Sequence, residues 1–250
     1  MIRRLPVGGG AYAFRMRMII QSIQRDATVA RDGVSLAQHT AISGGTQPTP
    51  TSKIVFDKLF SLLALIAISP LILLIGGLIL LFEGRPIYFG HTRVGQDGKP
   101  FQCWKFRTMV HNAEKRLEEA LHANPELRLE WEATRKMKHD PRVSPFGRFL
   151  RKTSLDELPQ FWNVLRGDMS VVGPRPVVSD ELPYYGVHVR DYTSVRPGLT
   201  GAWQVSGRSN TTYDERVALD VNYIRNSTIR TDLAIIWRTF GTVLGRAGAH

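Results

Sequence analysis

Between Arg148 and Pro176 the chain reads RFLRKTSLDELPQFWNVLRGDMSVVGPRP. An adjacent carboxylate pair, Asp156-Glu157, sits there among Arg148, Arg151, Lys152, Arg166 and Arg175. Gly173-Pro174-Arg175-Pro176 makes a stiff turn that holds one of those arginines. Such a set suits phosphoryl chemistry. A carboxylate pair among cations can hold a divalent metal that bridges to a diphosphate. A carboxylate can also attack phosphorus and form an acyl phosphate, which splits one displacement into two. The cations then neutralise charge growing on the phosphoryl oxygens, arginine with a two-bond fork and lysine as a point charge. A plainer role is open to the same residues. Thr153 or Ser154 followed three residues later by Asp156 or Glu157 is a capping-box pattern, and acids in a first helical turn complement the helix dipole.

Two further clusters could meet phosphate. In Lys105-Phe106-Arg107 a strand would send Lys105 and Arg107 to one face, as a clamp or as a solvated surface. The run Arg196-Pro197-Gly198-Leu199-Thr200-Gly201, continuing to Gly207-Arg208, has glycines that allow close backbone approach to a ligand, although its composition also suits an ordinary loop. The spacing from Gly90 to Gly95 resembles a phosphate loop, but Gln96 stands where a lysine is needed. There is no H-E-x-x-H, and the seven histidines are scattered. The single cysteine, Cys103, excludes an internal disulfide framework and reads as a reduced packing residue.

These groups need elements to position them. Residues 85–108 read as short strands around the turn Gln96-Asp97-Gly98. Residues 112–137 are helical in pattern with a break at Pro125, and 153–166 begin another helix. Amphipathic helices are expected over 213–226 and 231–244, the second capped by Thr231 or Asp232 and able to lie on a membrane or on the domain core. Residues 1–50, with Gly8-Gly9-Gly10, Gly44-Gly45, Pro48 and Pro50, read as a basic leader with a short amphipathic piece near 11–24.

From Leu59 to Phe82 lie 24 residues without a charge, 17 of them Leu, Ile or Phe. At roughly 0.3–0.6 kcal/mol each, those side chains favour the membrane by about 5–10 kcal/mol. Ser69-Pro70 falls near the middle. Proline removes one N–H and crowds the preceding turn, and a nearby serine can take up the freed carbonyl. Each half then spans about 15–20 Å, half a bilayer. Lys53 and Lys58 precede the block, while Arg85, Arg93 and Lys99 follow it. Basic residues on both flanks suit a helix that enters, bends and leaves on the cytoplasmic side; a kinked spanning helix is the alternative.

Charge narrows the function classes. The 250-residue chain carries a net +11, with 33 Lys and Arg against 22 Asp and Glu. Residues 1–53 hold seven basic and two acidic side chains, and residues 83–250 hold 25 and 19. The partner is therefore anionic: a phosphorylated substrate, an anionic membrane surface or nucleic acid. A hydrophobic fraction of 43% excludes a wholly disordered chain.

Assembled, these segments closely resemble the bacterial sugar transferase family, the monotopic polyprenyl-phosphate sugar-1-phosphate transferases that start exopolysaccharide assembly. The likeness runs from about Lys53 to Gly245. It is carried by the hairpin with Ser69-Pro70, by Gly84-Arg85-Pro86-Ile87, Lys105-Phe106-Arg107-Thr108-Met109 and Arg151-Lys152-Thr153-Ser154-Leu155-Asp156-Glu157-Leu158-Pro159-Gln160, and by Gly173-Pro174-Arg175-Pro176 and Arg196-Pro197-Gly198-Leu199-Thr200-Gly201. The resemblance implies an α/β, mostly α, monotopic membrane protein. It would have a leader at 1–52, a re-entrant membrane helix at 53–83, and a cytoplasmic catalytic domain with interfacial helices at 84–250.

The implied reaction passes a sugar-1-phosphate from a UDP-sugar, galactose or glucose first, to undecaprenyl phosphate with release of UMP. Asp156 matches the family's proposed nucleophile, which forms a covalent phospho-sugar intermediate. Glu157 matches a neighbour associated with magnesium, and Asp168 is a candidate to support the metal. Lys105, Arg107, Arg151, Arg175 and Arg196 are the candidate phosphate contacts. The expected location is the bacterial inner membrane with the domain facing the cytoplasm, in contact with membrane lipids, without nucleic acid, and with a homodimer left open. The competing class is a membrane-anchored basic module that binds nucleic acid or anionic lipid without catalysis.

Overall fold

The computed structural model describes residues 49–134, 137, 140–206 and 211–244. The expected leader up to residue 48, its amphipathic piece at 11–24, and Gly207-Arg208 lie outside the described residues.

The apolar block forms one long helix, α1 (Thr51–Phe82). It runs through Pro70, and the cost of that proline is visibly offset. The carbonyl left without its N–H partner is that of Ile66, four residues back, and the Ser69 hydroxyl donates to it at 2.8 Å. The helix stops where Gly84 takes a left-handed conformation at φ 73°.

Burial along α1 is uneven. At its start Phe56 and Phe60 pack against Val164, Met169 and Val171. At its end Ile72, Ile75 and Ile79 pack against Phe106 and Leu150. Between them Leu62, Leu63, Ile66, Leu73 and Leu74 are exposed. Residues near both ends of the helix thus rest on the domain, while its outward side is bare along its length, Leu59, Leu80, Leu81 and Phe82 included. Exposing each such side chain to water costs about 1.5–3 kcal/mol, so this surface belongs in a non-aqueous medium. The helix is long and apolar enough to cross a membrane, and only 17% of its most apolar stretch is buried.

The rest is a mostly helical α/β domain. Strands β1 (Tyr88–Val94) and β2 (Pro100–Phe106) form the antiparallel hairpin expected around Gln96-Asp97-Gly98, where Asp97 and Gly98 both take positive φ. Pairing His91 with Cys103 and Arg93 with Phe101 puts His91 and Arg93 on one face with Cys103 and Lys105. Helices α2 (Ala113–Ala123) and α3 (Pro125–Thr134) divide at Pro125 as expected. Then follow α4 (Pro145–Lys152), α5 (Gln160–Arg166), β3 (Ser170–Val172), 3-10 turns over Ser179–His188, α6 (Val189–Thr193), β4 (Gly198–Thr200), α7 (Tyr213–Asn226) and α8 (Ile229–Leu244). β3 and β4 pair in parallel, Ser170 with Gly198 and Val172 with Thr200. Helix α7 carries a full capping box between Thr212 and Glu215.

Two local expectations are corrected. The segment 153–166 is not one helix: Ser154 sits at φ 58°, Leu155–Glu157 form a single 3-10 turn, and α5 starts only at Gln160. The cap of α8 is Thr228, whose hydroxyl accepts from the Thr231 amide at 3.2 Å, rather than Thr231 or Asp232. Asp232 is instead buried in a contact with Lys53. Helix α8 resolves the two readings of its amphipathic pattern by using both faces. Ile235 and Ile236 join the core, while Leu233, Trp237 and Phe240 face outward.

Candidate active site

The chain around Asp156 is shaped by a stop and a restart. Ser144 caps α4 by accepting from the Gly147 amide at 2.8 Å, and Gly147 lets the helix lie flat on the next segment, since a Cβ there would meet the Thr108 carbonyl at 2.1 Å. At the other end Thr153 donates back to the Phe149 carbonyl at 2.8 Å. The hydroxyl that might have started a capping box thus closes the preceding helix, and Ser154 makes no side-chain cap bond. The plainer role for Asp156-Glu157 is not realised.

Asp156 is instead 7% exposed, with Oδ2 lying 3.9 Å from the Lys105 ammonium. Lys105 donates to Glu157 Oε1 at 2.6 Å. Burial pushes the Asp156 carboxyl up to about 6, Lys105 pulling it down and Glu157 adding to the rise. A carboxylate held this way is poorly solvated and reactive, yet largely ionised at neutral pH.

Lys105 is presented by β2, and Asn163 of α5 fixes that strand. Its fully buried amide donates to the Gln102 carbonyl at 2.7 Å and accepts from the Trp104 N–H at 3.0 Å, so a side chain completes the strand's hydrogen bonding. Glu157 and Lys105 open onto a small, partly open pocket whose other charged lining residues are Arg93 and Arg175. Gln160, Cys103, Pro176, Gly198, Leu199 and Gln204 complete the wall. Three cations thus face one carboxylate. Burial and the nearby Arg175 hold Arg93 below the usual arginine range, and a polyanion such as a diphosphate would relieve that repulsion. The Arg175 guanidinium lies 5.5 Å from the centre of the Trp203 ring, inside cation–π range.

The sequence candidates therefore separate. Lys105, Asp156, Glu157 and Arg175 come together. Arg151 is exposed, its Nε donates to the Thr108 hydroxyl at 2.9 Å, and its charge also pulls the Asp156 carboxyl down. Arg107 does not share a clamp with Lys105. β2 ends at Phe106, and Arg107 turns to the main chain at the exit of α1, donating to the Glu83 carbonyl at 2.7 Å and the Gly84 carbonyl at 2.8 Å. Arg196 is buried, with Nη2 at 3.4 Å from Asp57 Oδ2. Asp168 is at the end of α5, accepting from Asn163 at 3.1 Å and lying 3.6 Å from Arg166; it does not line the pocket. The sequence reading missed Arg93 and Asn163. For Arg93 a signal existed: with the hairpin turn fixed, alternation puts it on the face of Lys105.

Among the described residues there is no group of three or more His, Cys, Asp or Glu able to hold a metal unaided. Magnesium, however, is commonly held by one or two carboxylates together with substrate phosphates. The partly exposed Glu157 beside Asp156 fits the protein's share of such a site.

A pocket walled by Lys105, Arg93, Arg175 and Glu157, with the desolvated Asp156 next in the chain to Glu157 and within reach of Lys105, suits phosphoryl chemistry, and the same chain carries a long apolar helix. The model of the bacterial sugar transferase family matches residues 49–246, and the chain belongs to that family. It is 49% identical over 199 residues to the exopolysaccharide production protein ExoY of Sinorhizobium fredii, covering 80% of this chain and 88% of that protein. It is 50% identical over 198 residues to the undecaprenyl-phosphate galactose phosphotransferase of Salmonella typhimurium, covering 79% of this chain but 41% of that one. A UDP-glucose:undecaprenyl-phosphate glucose-1-phosphate transferase of Klebsiella pneumoniae is 40% identical over 193 residues, covering 73% of this chain and 38% of the relative.

Proposed function

We propose that this chain transfers a sugar-1-phosphate from UDP-galactose or UDP-glucose to a polyprenyl phosphate such as undecaprenyl phosphate, releasing UMP and starting exopolysaccharide assembly. The observation that carries the reading is Asp156, buried 3.9 Å from the Lys105 ammonium, which with Glu157, Arg93 and Arg175 lines the adjoining pocket. Relatives named as galactose and glucose phosphotransferases support the donor class.

The reaction runs in two displacements. A carboxylate oxygen of Asp156 attacks the phosphorus that bears the sugar. The bond from that phosphorus to the bridging oxygen breaks, and UMP leaves with the oxygen and its electron pair. A phosphate oxygen of the lipid then attacks the same phosphorus, and the acyl–phosphate bond breaks to restore the carboxylate. Lys105 keeps Asp156 ionised, and Arg175 and Arg93 take up charge on the phosphoryl oxygens. Magnesium held by Glu157 and the substrate phosphates would neutralise the diphosphate and favour departure of UMP.

The same reading includes a re-entrant α1 with both ends on the cytoplasmic side of the bacterial inner membrane. What supports it is that residues near both ends of the helix pack on one domain while its outward side is bare and apolar, and that the outward face of α8 is apolar. Basic residues flank both ends, as cytoplasmic flanks do.

The test uses the full-length chain in detergent with magnesium, undecaprenyl phosphate and a panel of UDP-sugars. UMP release with the galactose or glucose donor is expected, together with a hexose-phosphate adduct on the peptide containing Asp156. An Asp156→Asn variant that turns over at the wild-type rate would remove the nucleophile. Absence of UMP from every donor, with salt-sensitive DNA binding instead, would favour the binding module. Cysteine labels placed on either side of residues 59–82 report topology, and opposite accessibilities would reject the hairpin.

A further inference from the structure

Helix α1 is apolar over most of its surface, and its charged residues are Lys53, Asp57 and Lys58, all near its start. An apolar helix packs on an apolar wall with little preference for one rotation or depth. Two of these charges supply that preference. Lys53 donates to Asp232 Oδ2 at 2.6 Å, and the Tyr223 hydroxyl donates to the other oxygen, Oδ1, also at 2.6 Å. Asp57, one turn further on and fully buried, accepts from the Val171 amide at 3.0 Å and meets Arg196 at 3.4 Å. Val171 is the central residue of β3, and Arg196 stands two residues before β4.

Both of those strands lead directly into the pocket. β3 continues into Gly173-Pro174-Arg175-Pro176, and β4 supplies Gly198 and Leu199 to the wall. The junction between them has no slack. A Cβ on Gly198 would meet the Gly173 nitrogen at 2.1 Å, and one on Gly173 would meet the Arg196 carbonyl at 2.6 Å. The Gly198 amide also donates to the Pro174 carbonyl at 2.8 Å. A displacement of β3 against α1 must therefore carry Arg175 with it.

We propose that Asp57, with Arg196, is a positioning pair that fixes the Arg175 wall of the pocket relative to the membrane helix. A buried ion pair contributes little net stability, because desolvation offsets its Coulomb energy; what it can supply is a unique geometry. Here that geometry ties the depth of the membrane helix to the place where the donor diphosphate binds. The inference rests on reading the pocket as the donor site. It moves Arg196 from phosphate contact to the support behind it.

Two measurements on the full-length chain in nanodiscs test it. The first is hydrogen exchange of peptides spanning 170–176 and 197–201; the second is UDP affinity by calorimetry. Asp57→Asn keeps an oxygen for the Val171 amide but loses the charge, and Arg196→Lys keeps the charge but loses the planar guanidinium that reaches Asp57. Either variant should speed exchange in both peptides at least about fivefold and weaken UDP about tenfold, as expected when one charged contact is misplaced. Ser61→Ala, equally buried one turn further on, should do neither. Unchanged exchange in both variants overturns the proposal. So does faster exchange with wild-type UDP affinity, which would make the pair structural only. If the wild-type chain binds no UDP, the donor reading fails separately. Inorganic pyrophosphate, which needs only the cations, then serves as the affinity probe and decides the proposal in the same way.

Discussion

Two clusters in this protein pair a desolvated carboxylate with a cation, and they have opposite characters. At Asp156 burial raises the carboxyl to about 6, and the partner Lys105 also serves Glu157 at the edge of the pocket. At Asp220 burial raises the carboxyl to about 7, but no surface reaches it. Tyr185 donates to Oδ2 at 2.8 Å, and Arg216 lies 4.0 Å from the same oxygen. Arg216 is itself closed in by Trp203 and Tyr213, each ring centre 4.9 Å away, and by Glu181 at 3.4 Å. A perturbed carboxyl therefore does not mark a reactive site by itself. What separates the two is access: one cluster has a pocket beside it with two further cations, and the other is sealed by aromatic rings.

The largest effect expected from this contrast is at Asp156. Asp156→Asn removes the proposed nucleophile at nearly constant shape and should lower UMP release by roughly a thousandfold or more, as loss of a covalent catalyst does. Melting should change little. Equal loss of melting temperature and activity would instead make Asp156 a core residue like Asp220.

Next comes Lys105. Lys105→Met removes the cation that pulls Asp156 down, and should cost about a hundredfold in kcat. It also moves a pH limb. Asp156 must be ionised to attack, so kcat/KM should rise through about pH 6 and level off above it in the wild type. Without the ammonium the carboxylate is harder to form, and the limb must shift to higher pH. A limb that stays in place would show that Asp156 does not titrate in the rate.

Arg93 carries a smaller effect. It faces the pocket and is 3.8 Å from Glu181, so it is already partly neutralised. Arg93→Gln should raise the donor KM about tenfold with kcat nearly kept, the value of one charged hydrogen bond.

How much of this contrast could be read along the chain depends on how far apart its partners are. The hairpin and the break at Pro125 follow from local turn chemistry, and both were legible to the residue or nearly so. The Ser69–Ile66 repair of the proline was legible for the same reason. Asp156 and Glu157 stand out as acids among cations, although that pattern by itself is first of all a capping pattern, and it is the apolar block that turns the reading toward chemistry. Only tertiary structure decides between the two, because it sends Thr153 back to α4. Arg196 looked like a phosphate ligand in a glycine-rich loop. Its partner Asp57 lies 139 residues away, beyond any pattern along the chain. Arg107 likewise finds carbonyls 23 and 24 residues back. Asn163 gave no signal, since a side chain that completes a strand ladder looks like any helical asparagine. The Asp220 cluster was invisible too: its acid is one of several on an amphipathic helix, and only burial distinguishes it.

That sealed cluster gives the smallest expected effect on turnover and the sharpest control. Asp220 holds its proton more tightly in the folded chain, near 7, than an ordinary carboxyl at 3.8. The folded state thus binds more protons than the unfolded one between those values, so stability is greatest at the acid end and falls as pH rises toward about 7. The groups facing it are Tyr185, Arg216 and, more distantly, Arg175. Asp156 adds a slope of the same sign up to about 6, so the informative quantity is a difference between chains that both contain it. Asp220→Asn keeps an acceptor for the Tyr185 hydroxyl and removes the titration. Between pH 5 and 8 the wild-type melting temperature should fall about 5–10 °C further than that of the variant, corresponding to roughly 2–3 kcal/mol. UMP release by the variant should stay far above that of Asp156→Asn. Parallel melting profiles would mean that Asp220 is ionised throughout, held by Arg216 despite its burial. The sealing aromatic rings would then have no bearing on its charge, and access alone would no longer account for why chemistry falls to Asp156.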